Sequence, residues 1–221
     1  MRTVVTVARY LGCGGSYLGQ MVAGDLGFRC LDREIISETA QKFSLDAAHI
    51  AAREEKVASF WERMLRGISV GPPEATFVPP PAREISDMEL FLAEGDVMKS
   101  ITEHEDCVLV GRGAAHLLPD FPGKINVLLH APTEFRIPRV MQYYGAKTES
   151  QARTMIERSD NLRKTFVMQM TGLDLVCAQN YHFALDTSVL PLDDIAAMIT
   201  HYVRARMALQ TKLEQSALRA A

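Results

Sequence analysis

The residues with most chemical content lie at 8–27, ARYLGCGGSYLGQMVAGDLG. Gly12, Gly14 and Gly15 stand in a short turn. TVVTVA, a β-branched apolar run from Thr3 to Ala8, enters it, and an amphipathic run (Leu18, Met21, Val22, Leu26) of helical period leaves it. Strand, glycine turn and helix together place backbone N–H groups and a helix N-terminus around a phosphate, with no bulky side chain between backbone and ligand. Gly12, Cys13, Gly14, Gly15, Ser16 and Tyr17 are therefore the candidate cradle. The lysine of G-x-x-x-x-G-K-[ST] is missing from it. On the glycines alone, a tight turn without a ligand fits equally well.

Other groups suited to phosphate chemistry fall just after further strand-like runs: Arg9 after the first, Asp32 and Arg33 after the second, Arg112 after CVLV, and Asp186 with Thr187 after HFAL. Arg112, Arg136, Arg139, Arg158, Arg163 and Lys164 would make a clamp for a transferring phosphoryl group if they converge, because that chemistry is mostly positioning and charge neutralisation. Taken singly, each is a solvated helix-face charge. Asp32 can orient a hydroxyl, accept a proton or hold magnesium through water; it equally suits a helix N-cap. Asp160 and Arg163, at i and i+3, read as a helix-surface ion pair. Cys13 is expected to be a small loop residue, with a redox role the lesser reading.

These groups need a scaffold that brings strand ends together. Strands alternating with helices predict a parallel sheet covered on both faces, with ligands beyond the carboxyl ends of the strands. Gly27, Gly145 and Gly172 suit helix ends; Ser86 with Glu89 and Thr148 with Gln151 suit capping boxes. The second helix is expected to begin near Asp32, with loose periodicity continuing through Trp61 to Leu65. Pro72, Pro73, Pro79, Pro80 and Pro81 then mark a loop, either a surface linker or a flap over a pocket. A long charged helix should follow Thr148 to about Met170. A final helix should open at Asp193 or Asp194, its residues Ile195, Met198, Ile199, Tyr202, Val203, Leu209 and Leu213 forming one apolar stripe packed on the sheet.

Composition is consistent with this scaffold. The 221 residues are 48% hydrophobic and 23% charged, enough for a sizeable core, and the net charge of −3 argues against a nucleic-acid partner. Cys13, Cys30, Cys107 and Cys177 contain no C-x-x-C pair, so reduced thiols are expected instead of disulfides or a zinc site. No apolar run reaches membrane-spanning length and the chain starts directly with a strand, so no membrane partner and a cytoplasmic location are expected. The tail beyond Arg206 can project and pair with a second subunit, making a homodimer.

ARYLGCGGSYLGQMVAGDLGFRCLDREII, VLVGRGAAHLL, KINVLLHAPTEFRIPRV, SDNLRK and NYHFALDTS, in that order, resemble the cytidylate kinase-like family of P-loop proteins over nearly the whole chain. The resemblance implies a P-loop NTPase fold of three α/β/α layers over a five-stranded parallel sheet in the order 2-3-1-4-5. One domain would span 1–221, with a helical and proline-rich monophosphate-binding insertion at about 33–105 and a lid region at about 148–172. The implied activity is transfer of the ATP γ-phosphate to CMP or dCMP with Mg2+. Gly12 and Gly14 match the P-loop, Asp32 the aspartate closing the second strand, and Arg112 the monophosphate-holding arginine of G-R-D. Asp160 and Arg163 keep the lid's D-x-x-R spacing within Arg158 to Lys164. Gly15 stands in the lysine position, Tyr17 falls about where the magnesium-binding hydroxyl belongs, and Gly113 replaces the aspartate of G-R-D. Arg9, next to Tyr10, occupies an arginine-containing position shared by neighbours of the group and is the expected substitute cation. The catalytic candidates are thus Arg9, Asp32, Arg112 and Arg163, with no protein metal cluster. The substrate is a nucleoside monophosphate or another small phosphorylated or hydroxylated metabolite. The rival expectation is a nucleotide-binding sensor or assembly protein without turnover.

Overall fold

Five short apolar runs pair into one parallel sheet: β1 (Val4–Arg9), β2 (Arg29–Leu31), β3 (Cys107–Val110), β4 (Lys124–His130) and β5 (Phe183–Asp186). Their order is β2-β3-β1-β4-β5, as expected. β1 is central, Val4 standing opposite both Cys107 of β3 and Lys124 of β4. The computed structural model describes residues 2–31, 95, 98–111, 113–118 and 121–220. The expectations for a helix from Asp32, for the periodic run through Trp61, for the proline-rich loop and for the Ser86–Glu89 capping box lie outside the described residues.

The period of two in the strands sends alternate residues to opposite faces. Val5, Val7, Val108, Val110, Ile125, Val127 and Leu129 meet Leu18 and Val22 of α1 (Gly15–Leu26) and Ile195, Ile199 and Val203 of α5 (Leu192–Ala220). On the other face, Val4, Cys107 and Leu109 pack with Leu31, with Met98 from a helical stretch over 98–104, and with Ala114 of the short α2 (Ala114–Leu117). A third cluster joins α3 (Thr133–Tyr144) to α4 (Glu149–Thr171) through Ile137, Val140, Ala152, Met155 and Ile156. Leu11 of the glycine turn belongs to this cluster, so the packing of α3 on α4 also holds the turn.

Helix ends follow the local chemistry. Gly27, Gly145 and Gly172 close α1, α3 and α4 in the left-handed region, at φ of 69°, 76° and 69°. The Thr148 hydroxyl accepts from the Gln151 amide at 3.2 Å, and the Gln151 side chain reaches back to the Lys147 amide at 2.7 Å, one residue before the expected partner. The final stripe needs correction. Ile195, Ile199 and Val203 are buried, but Met198, Leu209 and Leu213 are 46%, 58% and 62% exposed among the described residues. Met198 lies off the packed face between Ile195 and Ile199, and beyond Met207, which still packs partly buried on the core, Leu209 and Leu213 are exposed. None of the four cysteines is in a disulfide, and among the described residues no helix is long and apolar enough to cross a membrane.

Two glycines of α1 separate packing from propensity. A Cβ on Gly19 would overlap Val110, whereas one on the exposed Gly24 meets nothing within 4 Å. Gly24→Ala is expected to raise stability by about 0.5–1 kcal/mol through helix propensity. Gly19→Ala gains the same propensity but overpacks the α1–β3 contact, an effect of about 1–3 kcal/mol, and should lower stability overall. Urea midpoints of the two variants against the parent check both signs.

Candidate functional site

The turn between β1 and α1 stands at the carboxyl edge of the sheet. Gly12 and Gly14 hold φ of 83° and 76°, a region side-chain-bearing residues rarely adopt, and the backbone thereby curls before α1 begins. Intrahelical bonding starts with the Leu18 amide donating to the Gly14 carbonyl at 2.9 Å, and no side chain caps the helix start. The first-turn amides and the positive end of the helix dipole therefore face the turn.

Gly15 is glycine for a different reason. Its φ is not in the left-handed region, but a Cβ built on it would lie 2.6 Å from Arg9 Cγ and 2.9 Å from Arg9 Cβ. The Arg9 stem thus occupies the space a side chain at 15 would need. Farther along, its guanidinium packs against Gly111, at the end of β3, so closely that a Cβ there would overlap Nη1; Gly111 itself holds φ of 81°. Arg9 runs through a corridor whose two walls are glycines. Arg139 stands at the opposite side of the turn, its Nη2 3.0 Å from where a Gly14 Cβ would be. Two cations flank the cradle.

Arg163 comes to this region from α4. It is buried, and burial first, then the charge of Arg9, push its pKa down to about 9, with Asp160 opposing. At neutral pH the group remains charged, and each guanidinium raises the cost of the other's charge. An anion between them would reverse that sign. Arg9, Gly111, Gly113, His116, Arg163 and Phe166 line one small cleft.

Several expected roles change. Asp160 does not form a surface pair with Arg163; it receives Arg136 Nη1 at 2.7 Å, both side chains being largely buried. The same Arg136 nitrogen donates to the Leu11 carbonyl at 3.2 Å, and Asp160 accepts from the Leu11 amide at 3.4 Å. Arg136 is accordingly a brace for the turn, not a member of the phosphate clamp. Tyr17 does not offer its hydroxyl to the cradle: it donates to Asp193 on α5 at 2.9 Å, an interaction that raises its pKa. Ser16, directly after Gly15, is the exposed hydroxyl of the helix start. Cys13 is buried, its thiol pushed up to about 11 by desolvation, which fits a small core residue of the turn. Asp186 spends its carboxylate on the Ser188 amide at 2.9 Å and hydroxyl at 2.6 Å, fixing the turn after β5.

Arg158 and Lys164 lie on the exposed side of α4, and Lys164 places its ammonium 5.8 Å from the Tyr10 ring centroid. Asp32 and Arg112 lie outside the described residues. The sequence did not single out His116, which enters the cleft from α2, and it named Arg136 for the wrong task. A buried arginine and aspartate 24 positions apart have no sequence-local signal.

Burial lifts the Asp160 carboxyl above its usual range against the pull of Arg136, so the pair positions the turn more than it stabilises the fold. Asp160→Ala leaves the Arg136 charge buried and should cost about 3–5 kcal/mol in urea unfolding. Combining Arg136→Met with Asp160→Leu should restore most of that stability while leaving Leu11 without its two tethers.

The fold resembles the crystal structure of an uncharacterized protein from Eubacterium ventriosum ATCC 27560, with TM-score 0.66 and 20% identity, covering 93% of this chain and 99% of that one. It also resembles a gluconokinase from Sinorhizobium meliloti 1021 (TM-score 0.51, 17% identity, 97% and 99% coverage). A sugar kinase from Janibacter sp. HTCC2649 is similar at TM-score 0.51 and 14% identity, with 92% and 95% coverage. At these identities the likeness is one of fold. No curated protein matches the sequence. The family model described as the cytidylate kinase-like family matches residues 4–189, and the chain belongs to that family.

Proposed function

We propose that the protein transfers the γ-phosphate of ATP to a small metabolite, with CMP or dCMP the leading acceptor. The observation that carries this reading is the Arg9 stem lying over Gly15, where a P-loop lysine would otherwise stand. On this reading the turn amides and Arg9 hold the ATP phosphates, and Arg163 brings a second cation from α4. Arg112, by resemblance, holds the acceptor phosphate. Arg139, Arg158 and Lys164 supply the outer positive field.

Magnesium would come with the nucleotide, keeping most of its water shell. Ser16 fits that mode, since the residue directly after the lysine position is an exposed serine. Ser16 and Asp32 would hold the ion, which would supply charge neutralisation on the phosphates. The chain's own part is to align the phosphates with the turn and to place guanidinium charge where the transferred group is most negative. Gly15 in the lysine position and Gly113 in place of the G-R-D aspartate favour a second reading, a nucleotide sensor or assembly module without turnover.

ATP consumption with CMP, dCMP, UMP, AMP, gluconate and no acceptor separates the two readings. Turnover with one monophosphate is expected; clear ATP binding with no turnover across the panel would promote the sensor. Arg9→Ala should lower kcat by about 10²–10³, the usual effect of losing one well-aimed charge donor. Gly15→Lys alone should fail, because its stem meets Arg9, whereas Arg9→Ala with Gly15→Lys should regain activity. Nucleotide binding by Arg9→Ala as tight as in the parent would overturn the assignment of Arg9.

A further inference from the structure

The cleft beside Arg9 and Arg163 has a third polar group on its wall. His116, on α2, is 8% exposed, and its Nε2 has no hydrogen-bond partner among the described residues. Buried polar atoms are nearly always paired, and an exception at a cleft wall is a place where a bound group can supply the missing partner. The ring is held in place from behind. Tyr181 meets it edge-on at 6.2 Å between centroids, with its own hydroxyl committed to the Leu175 carbonyl at 2.8 Å. The backbone of α2 is anchored by buried Lys124, whose ammonium donates to the Ala115 carbonyl at 2.9 Å. Burial, and secondarily the charge of Lys124, hold the imidazole below its ordinary pKa, so it is neutral at pH 7. A neutral imidazole offers a lone pair or an N–H at Nε2, and no charge.

The remainder of the cleft divides by chemistry. Arg9 and Arg163 form its cationic part, and Phe166, Val167 and Leu175 give it apolar walls. An occupant that satisfies all three parts has an anionic end, a flat or apolar body, and an uncharged hydrogen-bonding edge. We propose that His116 is a specificity-determining residue that hydrogen-bonds, through Nε2, an uncharged polar edge of the phosphoryl acceptor, as a nucleobase carries. The inference rests on the phosphotransferase reading, with Arg9 at the ATP phosphates and Arg163 bordering the acceptor on the same cleft. It goes further by naming the group that selects the acceptor and by favouring a neutral edge over a second anion at that position.

His116→Phe keeps a ring of similar size without the nitrogen, and His116→Gln returns an amide near the Nε2 position. Initial rates with CMP, dCMP, UMP and AMP give KM for acceptor and for ATP separately, and thermal melting reports the fold. His116→Phe is expected to raise the acceptor KM about tenfold or more, with ATP KM and Tm unchanged, and His116→Gln to recover part of it. An unchanged acceptor KM in an active His116→Phe enzyme overturns the role of His116 and leaves the kinase reading standing. Parallel losses in both KM values and in Tm overturn it as well, since they mark a structural role. Equilibrium binding of the same monophosphates, with ATP present, covers the case in which the parent does not turn over. A weaker monophosphate affinity in His116→Phe then supports His116 as the selecting group although the kinase reading fails. Equal affinities, or no monophosphate binding at all, overturn the proposal.

Discussion

The passage of Arg9 between two glycines is the contact on which the site depends. A guanidinium has to leave the end of the central strand, cross the start of α1 and lie against the end of β3. That path exists only because positions 15 and 111 carry no Cβ. Sterics therefore couple positions 9, 15 and 111: the path of the Arg9 side chain requires glycine at both 15 and 111. On the proposed function, the absent lysine and the present arginine are two aspects of one packing solution.

The Arg136–Asp160 pair sets the frame around that corridor. Its two groups come from α3 and α4 and grip Leu11 from both sides of its peptide, while the Leu11 side chain is locked into the apolar cluster between the same helices. Arg163 lies three residues beyond Asp160, so the pair that tethers the turn also sets where Arg163 enters the cleft. Pushing two guanidinium groups toward one another is unfavourable in isolation, and burial makes it more so. On the proposed function, an anion bound between them would convert that repulsion into two attractions.

The fold was largely legible in the residues. Short β-branched runs, left-handed glycines at helix ends and the Thr148 cap are local signals, and each led to the element found. The α5 stripe was misread at Met198, Leu209 and Leu213, because helical periodicity reports a face, and says nothing of which of its residues meet a core. The tail beyond Arg206 is expected from the sequence to project. Among site residues, the glycine turn and the cationic character of Arg9 and Arg163 were readable from type and position. The tasks of Arg136, Asp160 and Tyr17 were not, since which partner a long polar side chain chooses depends on elements more than twenty residues away.

By itself, the amino-acid sequence determined that a parallel sheet would carry a glycine turn at its carboxyl edge, that this turn lacks its lysine, and that arginines surround it. Those properties follow from residue type and near-neighbour spacing, which act through backbone sterics and period. Only the tertiary structure decided that the Arg9 stem takes the space over Gly15, that Arg136 braces the turn instead of facing the cleft, and that His116 lines the cleft with an unmatched nitrogen. These are outcomes of three-dimensional exclusion and burial. Two atoms compete for one volume, or a polar atom is cut off from water, only after the strands and helices have come together.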